Sequence, residues 1–277
     1  MRTSISLLSL LLIAAPAHAV KAPLPPAAMT KVARQVRASD PRIEAARQKY
    51  LKRGSGPPTT KQLAKAAKLK GLALEVRAAY EASPDKRGKL IILEGLDLSG
   101  KSSLAELLEP NFAGLKVRVV HWGAPGPQKT ALWQDDYLKE LPKPGEIVIW
   151  DRSYMGRLVY DRHYGMINNK TVHQRIDEVN ALEGMIKNQV DVTKFFYDVP
   201  AREMARRLGK REAIDPGKLN PKGGDYVAFR DRKIIRARAD FAVDGTGDSI
   251  KWRMLDMSDP FKGKEQALGI LKKQWSK

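Results

Sequence analysis

The stretch KLIILEGLDLSGKSS, residues 89–103, decides the fold. Leu90–Leu93 is a short uncharged run, as expected of a strand buried in a parallel sheet. It leads into Gly95-x-x-x-x-Gly100-Lys101-Ser102, a complete Walker A pattern, and then into a helix over Ser102–Leu108. The glycines let backbone amides turn inward around phosphate oxygens. Lys101 reaches the terminal phosphates, the Ser102 hydroxyl suits Mg²⁺, and the helix N-terminus adds partial positive charge. Gly95, Ser99, Gly100, Lys101, Ser102 and Ser103 are therefore candidate phosphate-binding residues. Asp97, inside the loop, is unusual for a plain ATPase: it can orient a metal or an acceptor phosphate, or cap the loop.

Downstream, strands and helices alternate as in a parallel sheet flanked by helices. Strands are expected at Val117–His121, Ile147–Trp150, Thr193–Asp198 and Trp252–Leu255. Helices are expected over Trp133–Leu141, Val172–Gln189, Pro200–Arg211 and Lys264–Trp275, giving one α/β domain over 86–277.

Asp151 and Arg152 follow the third strand. A carboxylate at the C-terminal end of a strand beside the loop is placed to hold a metal, and the guanidinium fork matches phosphate oxygens. Ser102, Asp97 and Asp151 are the candidate metal ligands; Asp97, Lys101, Asp151 and Arg152 are the candidate catalytic residues. The stretch from Arg202 to Arg238 holds twelve Lys or Arg with Gly217, Gly223 and Gly224 in its middle. That is the composition of a lid, about 202–240, closing over phosphates so that transfer outruns hydrolysis. His121, His163 and His173 are scattered and read as structural rather than as a metal site.

Charge is concentrated ahead of the loop. The 277-residue chain has 50 Lys+Arg against 31 Asp+Glu, a net of +19, and so fits a polyanionic substrate or partner. Residues 20–89 carry 17 Lys+Arg against 5 Asp+Glu. Residues 60–85 read as an N-terminal helix capped by Thr60, with Leu63, Ala66, Ala67, Leu69, Ala73, Val76 and Tyr80 on one stripe. Residues 20–59 form a basic Pro/Ala-rich extension. It is helical from about Met29 to Lys52 with an interruption at Asp40-Pro41, and its composition fits a docked element or a partly ordered tether alike.

Residues 1–19 have the form of a signal peptide, with Arg2, an apolar stretch and Ala17-His18-Ala19 before Val20. Export, to the periplasm of a bacterium, is the expectation; without cleavage the stretch serves as an anchor, and without export the protein is cytoplasmic. The absence of cysteine is compatible with either compartment.

EGLDLSGKSS, VRVVHWGAPGPQ, LPKPGEIVIWDRSYMGRLV and WRMLDMSD together resemble the polyphosphate kinase 2 family over roughly residues 70–275. The resemblance implies a P-loop kinase fold with a helical lid, and Mg²⁺-dependent phosphate transfer between inorganic polyphosphate and nucleoside mono- or diphosphates. It places functional positions on Asp97, Lys101, Asp151 and Arg152, and puts Arg207 and Arg211 along the polyphosphate path. Two departures stand out: the loop ends Lys-Ser-Ser, and PGKLNPKGGD lacks the tryptophan-bearing lid pattern. EGLDLSGKSS and DVTKFFYDVP also look like segments of thymidylate kinases. A third reading is an exported polyanion-binding protein with an inactive kinase core. The sequence leaves room for a homo-oligomer and shows no base-reading motif for sequence-specific nucleic acid.

Overall fold

The computed structural model describes residues 26–53, 57–123, 133–163, 165–214, 216, 219, 224–245 and 250–277. The leader at 1–19 and the lid residues Gly217, Lys218, Lys222 and Gly223 lie outside them. Five strands form one wholly parallel sheet in the order β2-β3-β1-β4-β5. They are β1 (Lys89–Gly95), β2 (Lys116–His121), β3 (Glu146–Asp151), β4 (Asp191–Asp198) and β5 (Trp252–Asp256). β1 is central and buried along its whole length, which is why its sequence is nearly continuous in apolar residues. Its one lysine, Lys89, is tolerated because its ammonium reaches Asp85 at 3.0 Å and Asp191 at 3.1 Å.

Helices cover both faces. α4 (Ser102–Asn111) follows the loop, α5 (Trp133–Lys139) precedes β3, and α7 (Asn169–Gln189) leads into β4. α8 (Ala201–Ile214), α9 (Gly224–Arg230) and α10 (Arg232–Gly245) occupy the stretch expected as a lid, and α11 (Pro260–Trp275) follows β5. α6 (Met155–His163), directly after Asp151-Arg152, was not anticipated. Its first turn holds Gly156 and its buried face is partly ionic, Arg157 meeting Asp161 at 3.2 Å, so its apolar period is weak.

α3 (Thr60–Ala82) starts where expected, but its cap differs. Thr59, not Thr60, is the cap, because only it stands three residues before Gln62: Thr59 N donates to Gln62 Oε1 at 2.7 Å and Gln62 N donates to Thr59 Oγ1 at 3.3 Å. The apolar stripe is buried only in its second half, through Leu69, Ala73, Val76 and Ala79, where the helix packs on α11; Leu63 is 56% exposed. The first turns run past the core, and Lys65 covers the Phe261 ring at 4.6 Å instead.

The basic extension is a docked pair of helices, α1 (Pro26–Ser39) and α2 (Pro41–Arg53). The chain breaks at Asp40 as the following proline requires, and Asp40 caps α2 by accepting from Arg42 N at 3.1 Å. α2 crosses α8 at Gly209, where a Cβ would lie 2.4 Å from the Ile43 carbonyl oxygen. Arg37 and Arg47 converge on the buried Glu212 of α8 at 3.6 and 3.7 Å.

Candidate active site

The loop 95–101 leaves β1 at the C-terminal edge of the sheet, and its curl comes from local backbone conformation. Leu98 (φ 69°) and Gly100 (φ 85°) are left-handed while Ser99 between them is not; such alternation turns successive amides to one concave side. Leu98 has a side chain in that region, at a cost of about 1 kcal/mol. A Cβ on Gly95 would lie 2.8 Å from the Tyr197 carbonyl oxygen and 2.9 Å from Ser99 Oγ, so only glycine fits there. Ser103 Oγ donates to the Gly100 carbonyl at 2.5 Å and ties the loop to the first turn of α4.

Two further residues hold the loop, and neither role was visible in the sequence. Glu94, buried at the end of β1, accepts from Ser153 N at 2.6 Å and Ser153 Oγ at 2.9 Å. Burial pushes its carboxyl above the usual range against the pull of Lys101 and Arg152. Arg207, on α8, donates to the carbonyls of Leu98 at 2.9 Å and Ser99 at 2.6 Å, and to that of Met257 at 2.7 Å. Glu203, one turn earlier, orients it at 2.8 Å. Arg207 thus engages the carbonyl side of the loop, at the position the resemblance puts along the polyphosphate path. Arg211 is paired with Asp225 at 2.9 Å.

Ser102 and Asp151 come together as expected: Ser102 Oγ donates to Asp151 Oδ2 at 2.6 Å. The register that sets Leu93 beside Asp151 brings the strand ends level. His121 ends β2 opposite Asp151, its Nδ1 3.2 Å from the same Oδ2. A histidine at the C-terminal end of a strand neighbouring β3 was the available signal. Asp151 Oδ1 is buried and has no hydrogen-bond partner among the described residues. That unsatisfied oxygen beside a serine hydroxyl fits Mg²⁺, a hard cation that takes one or two protein oxygens and completes its shell with water and phosphate. Among the described residues no three His, Cys, Asp or Glu side chains gather into a metal cage.

Asp97 lies apart from that pair. Its Oδ1 accepts from Arg152 Nη2 at 2.5 Å and stands 3.8 Å from Lys101 Nζ. Burial favours its neutral form, but Lys101 and Arg152 outweigh burial and hold its carboxyl below the usual range. Arg152 is itself left-handed at φ 77°, a strained conformation for a residue with a side chain. Its backbone N–H donates to the Leu93 carbonyl at 2.9 Å while its side chain reaches Asp97. Lys101 is buried, 3.5 Å from the Gly95 carbonyl. Burial and then Arg152 lower its pKa; Asp97, Asp151 and Glu94 counter them. Two cations, Lys101 and Arg152, therefore stand at the mouth of an amide-lined loop, beside an oxygen pair fit for Mg²⁺: an arrangement that can hold a phosphate chain and stabilise a phosphoryl group in transfer.

The model of the family "Polyphosphate kinase 2 (PPK2)" matches residues 59–222. "ADP-polyphosphate phosphotransferase 3" of Rhizobium meliloti (strain 1021) is 29% identical over 136 residues, 48% of each chain. "Polyphosphate kinase PPK2B" of Corynebacterium glutamicum is 30% identical over 137 residues, 48% of this chain and 44% of that protein. The matched stretch spans about half the length of these relatives. The crystal structure of polyphosphate kinase 2 from Arthrobacter aurescens TC1 aligns with a TM-score of 0.64 over 77% of this chain and 76% of that one. At 18% identity that likeness concerns the fold. The family model covers the loop, Asp151-Arg152 and the start of the lid, more than half of the residues, so the chain belongs to the polyphosphate kinase 2 family.

Proposed function

We propose that this protein transfers a phosphoryl group between inorganic polyphosphate and a nucleoside mono- or diphosphate, with Mg²⁺. The observation that carries the reading is the Ser102–Asp151 pair with its unsatisfied Oδ1 at the mouth of the loop. Phosphoryl transfer asks for positioning and charge stabilisation more than for covalent chemistry, and the chain offers both. The loop amides and Lys101 hold the phosphates, Asp97 orients Lys101 and Arg152, and Arg207 keeps the loop carbonyls turned away. Mg²⁺ between Ser102, Asp151 and phosphate oxygens would neutralise charge on the chain. In the nucleotide-forming direction the terminal phosphoanhydride of polyphosphate breaks, a new one forms on the nucleotide's terminal phosphate oxygen, and polyphosphate is shortened by one unit.

The test supplies purified protein with Mg²⁺, long-chain polyphosphate and each of AMP, ADP, GMP and GDP, and follows nucleotide formation. No phosphorylated product from any acceptor sinks the proposal; phosphorylation of dTMP by ATP would favour a thymidylate kinase-like enzyme instead. Export is proposed on residues 1–19 alone, and polyphosphate as donor would spare an exported enzyme the need for ATP. A mature N-terminus at Val20 supports export, whereas an intact Met1 on a freely soluble protein refutes it. Among the described residues no helix is long and apolar enough to cross a membrane.

A further inference from the structure

Lys194 of β4 and Glu183 of α7 form an ion pair in which neither side chain has any exposure. The Lys194 ammonium also stands over the Trp252 ring of β5 at 4.4 Å, and the Glu183 carboxylate accepts from the Tyr154 hydroxyl at 2.7 Å. Tyr154 is itself fully buried, edge-on to Tyr137 at 5.7 Å. Burial, and then the Glu183 charge, push its phenol far above the ordinary value, so it keeps its proton and donates. Ile92 of β1 pairs with Trp150 of β3 on one side and with Lys194 of β4 on the other. The chain Tyr154–Glu183–Lys194 therefore bridges the two strands that flank β1.

Such a pair is a poor device for stability. Taking both charges out of water costs about as much as their attraction returns, and apolar side chains of the same volume serve a core as well or better. Its worth lies in what it fixes. Tyr154 stands two residues beyond Arg152, the left-handed residue whose side chain reaches Asp97. A conformation of that kind persists only where its surroundings over-determine it. From β1 the turn is held at Arg152 N by the Leu93 carbonyl and at Ser153 by Glu94. Glu94, however, is also drawn by Lys101 and Arg152, two of the charges that the site has to orient. Tyr154 supplies a second anchor from outside the loop, and its carbonyl accepts from Arg157 N at 2.9 Å as α6 begins.

We infer that Glu183, held by Lys194, is a positioning residue for phosphoryl transfer: through the Tyr154 hydroxyl it fixes the turn that keeps Arg152 left-handed and turned toward Asp97. None of the three touches the phosphates; they act through Arg152. The inference rests on the transfer reading and deepens it.

The experiment measures kcat and KM for polyphosphate-driven phosphorylation of ADP by the full chain and by Tyr154→Phe, which keeps the ring and removes only the hydroxyl. The expected result is a kcat about tenfold lower, with KM for ADP within about twofold of wild type. In an Arg152→Ala background the same substitution should change kcat by less than about twofold, while its effect on the melting temperature is the same in both backgrounds. A merely structural role lowers kcat by the same factor in both, and that result overturns the inference. The triple variant Glu183→Leu, Lys194→Met and Tyr154→Phe removes the network without stranding a charge. It should melt at or above the wild-type temperature with kcat still about tenfold lower; wild-type kcat overturns the inference. Crystal structures of wild type and Tyr154→Phe read the geometry directly. Arg152 should leave the left-handed region and release Asp97 in the variant, and an unchanged turn overturns the inference. If wild type transfers nothing, the transfer reading falls alone and these two structures decide.

Discussion

The hydroxyl of Ser102 donates to Asp151 Oδ2 at 2.6 Å, joining the first residue of α4 to the last residue of β3, 49 positions away. The Oδ1 of the same carboxylate is buried and has no partner among the described residues, so the pair has spare acceptor capacity. Asp151→Asn should lower Mg²⁺-dependent transfer by about 10²-fold or more and raise the Mg²⁺ concentration needed for half-maximal rate, while far-ultraviolet circular dichroism stays unchanged. Ser102→Ala should cost less, about tenfold, because a water can replace a neutral ligand but not a charge. Equal Mg²⁺ dependence in wild type and Asp151→Asn would refute this role.

Lys101 is held in a buried position among Asp97, Asp151 and Glu94, with Arg152 opposing it. Lys101→Ala should reduce transfer by roughly 10³-fold, since the lost contact acts on the group that gains charge in the transition state. Thermal denaturation should still show one cooperative transition. Turnover at the wild-type rate would mean that the loop is not the site.

Glu203 offers a test by pH. Burial alone would raise its carboxyl, but hydrogen bonds from Arg206 and Arg207 hold it below its ordinary value of 4.5. A depressed carboxylate contributes stability that is present above the unfolded pKa and is lost as pH falls through the folded one. Glu203→Gln should therefore be less stable than wild type by roughly 1–2 kcal/mol at pH 7, from the loss of a charged hydrogen bond. That gap should shrink once the pH drops below about 4.5, the value for the free side chain. Urea denaturation of both proteins at several pH values measures it, and a gap that does not change with pH is the contrary result.

Gly209 is where the N-terminal pair of helices meets α8, and a Cβ there would collide with backbone, the Ile43 carbonyl oxygen at 2.4 Å. Gly209→Val should destabilise the protein by about 2 kcal/mol and expose residues 26–53 to limited proteolysis. Because α8 also carries Arg207, the substitution should weaken transfer although it lies outside the loop. Proteolysis and melting unchanged from wild type would show that α2 does not rest on α8 in solution.

Local signals were sufficient for much of the architecture. The apolar run Leu90–Leu93 ending in the loop pattern, and the alternation downstream of it, specify a parallel sheet because a fully buried strand must be apolar on both faces. The break at Asp40 was legible for the same kind of reason: proline restricts its predecessor whatever surrounds it. α6 was missed because its buried face contains the Arg157–Asp161 ion pair, which does not register as an apolar period. Leu63 lies on the apolar stripe yet is exposed, because periodicity shows which side of a helix is apolar, not how far the core extends beneath it.

The sequence by itself determined the loop, its lysine and serine, and the strand-end aspartate, since these are fixed by short-range spacing and backbone chemistry. Only the tertiary structure decided how they are supported. The meeting of Ser102, His121 and Asp151 depends on which strands lie side by side, and the bond from Arg152 to Asp97 on the level at which those strands end. Arg207 carries the same charge as every other lid cation. What sets it apart is that α8 packs its guanidinium against the carbonyls of Leu98 and Ser99, more than a hundred residues away in the chain. Contacts at that separation are chosen by packing, and no local pattern of residue types encodes them.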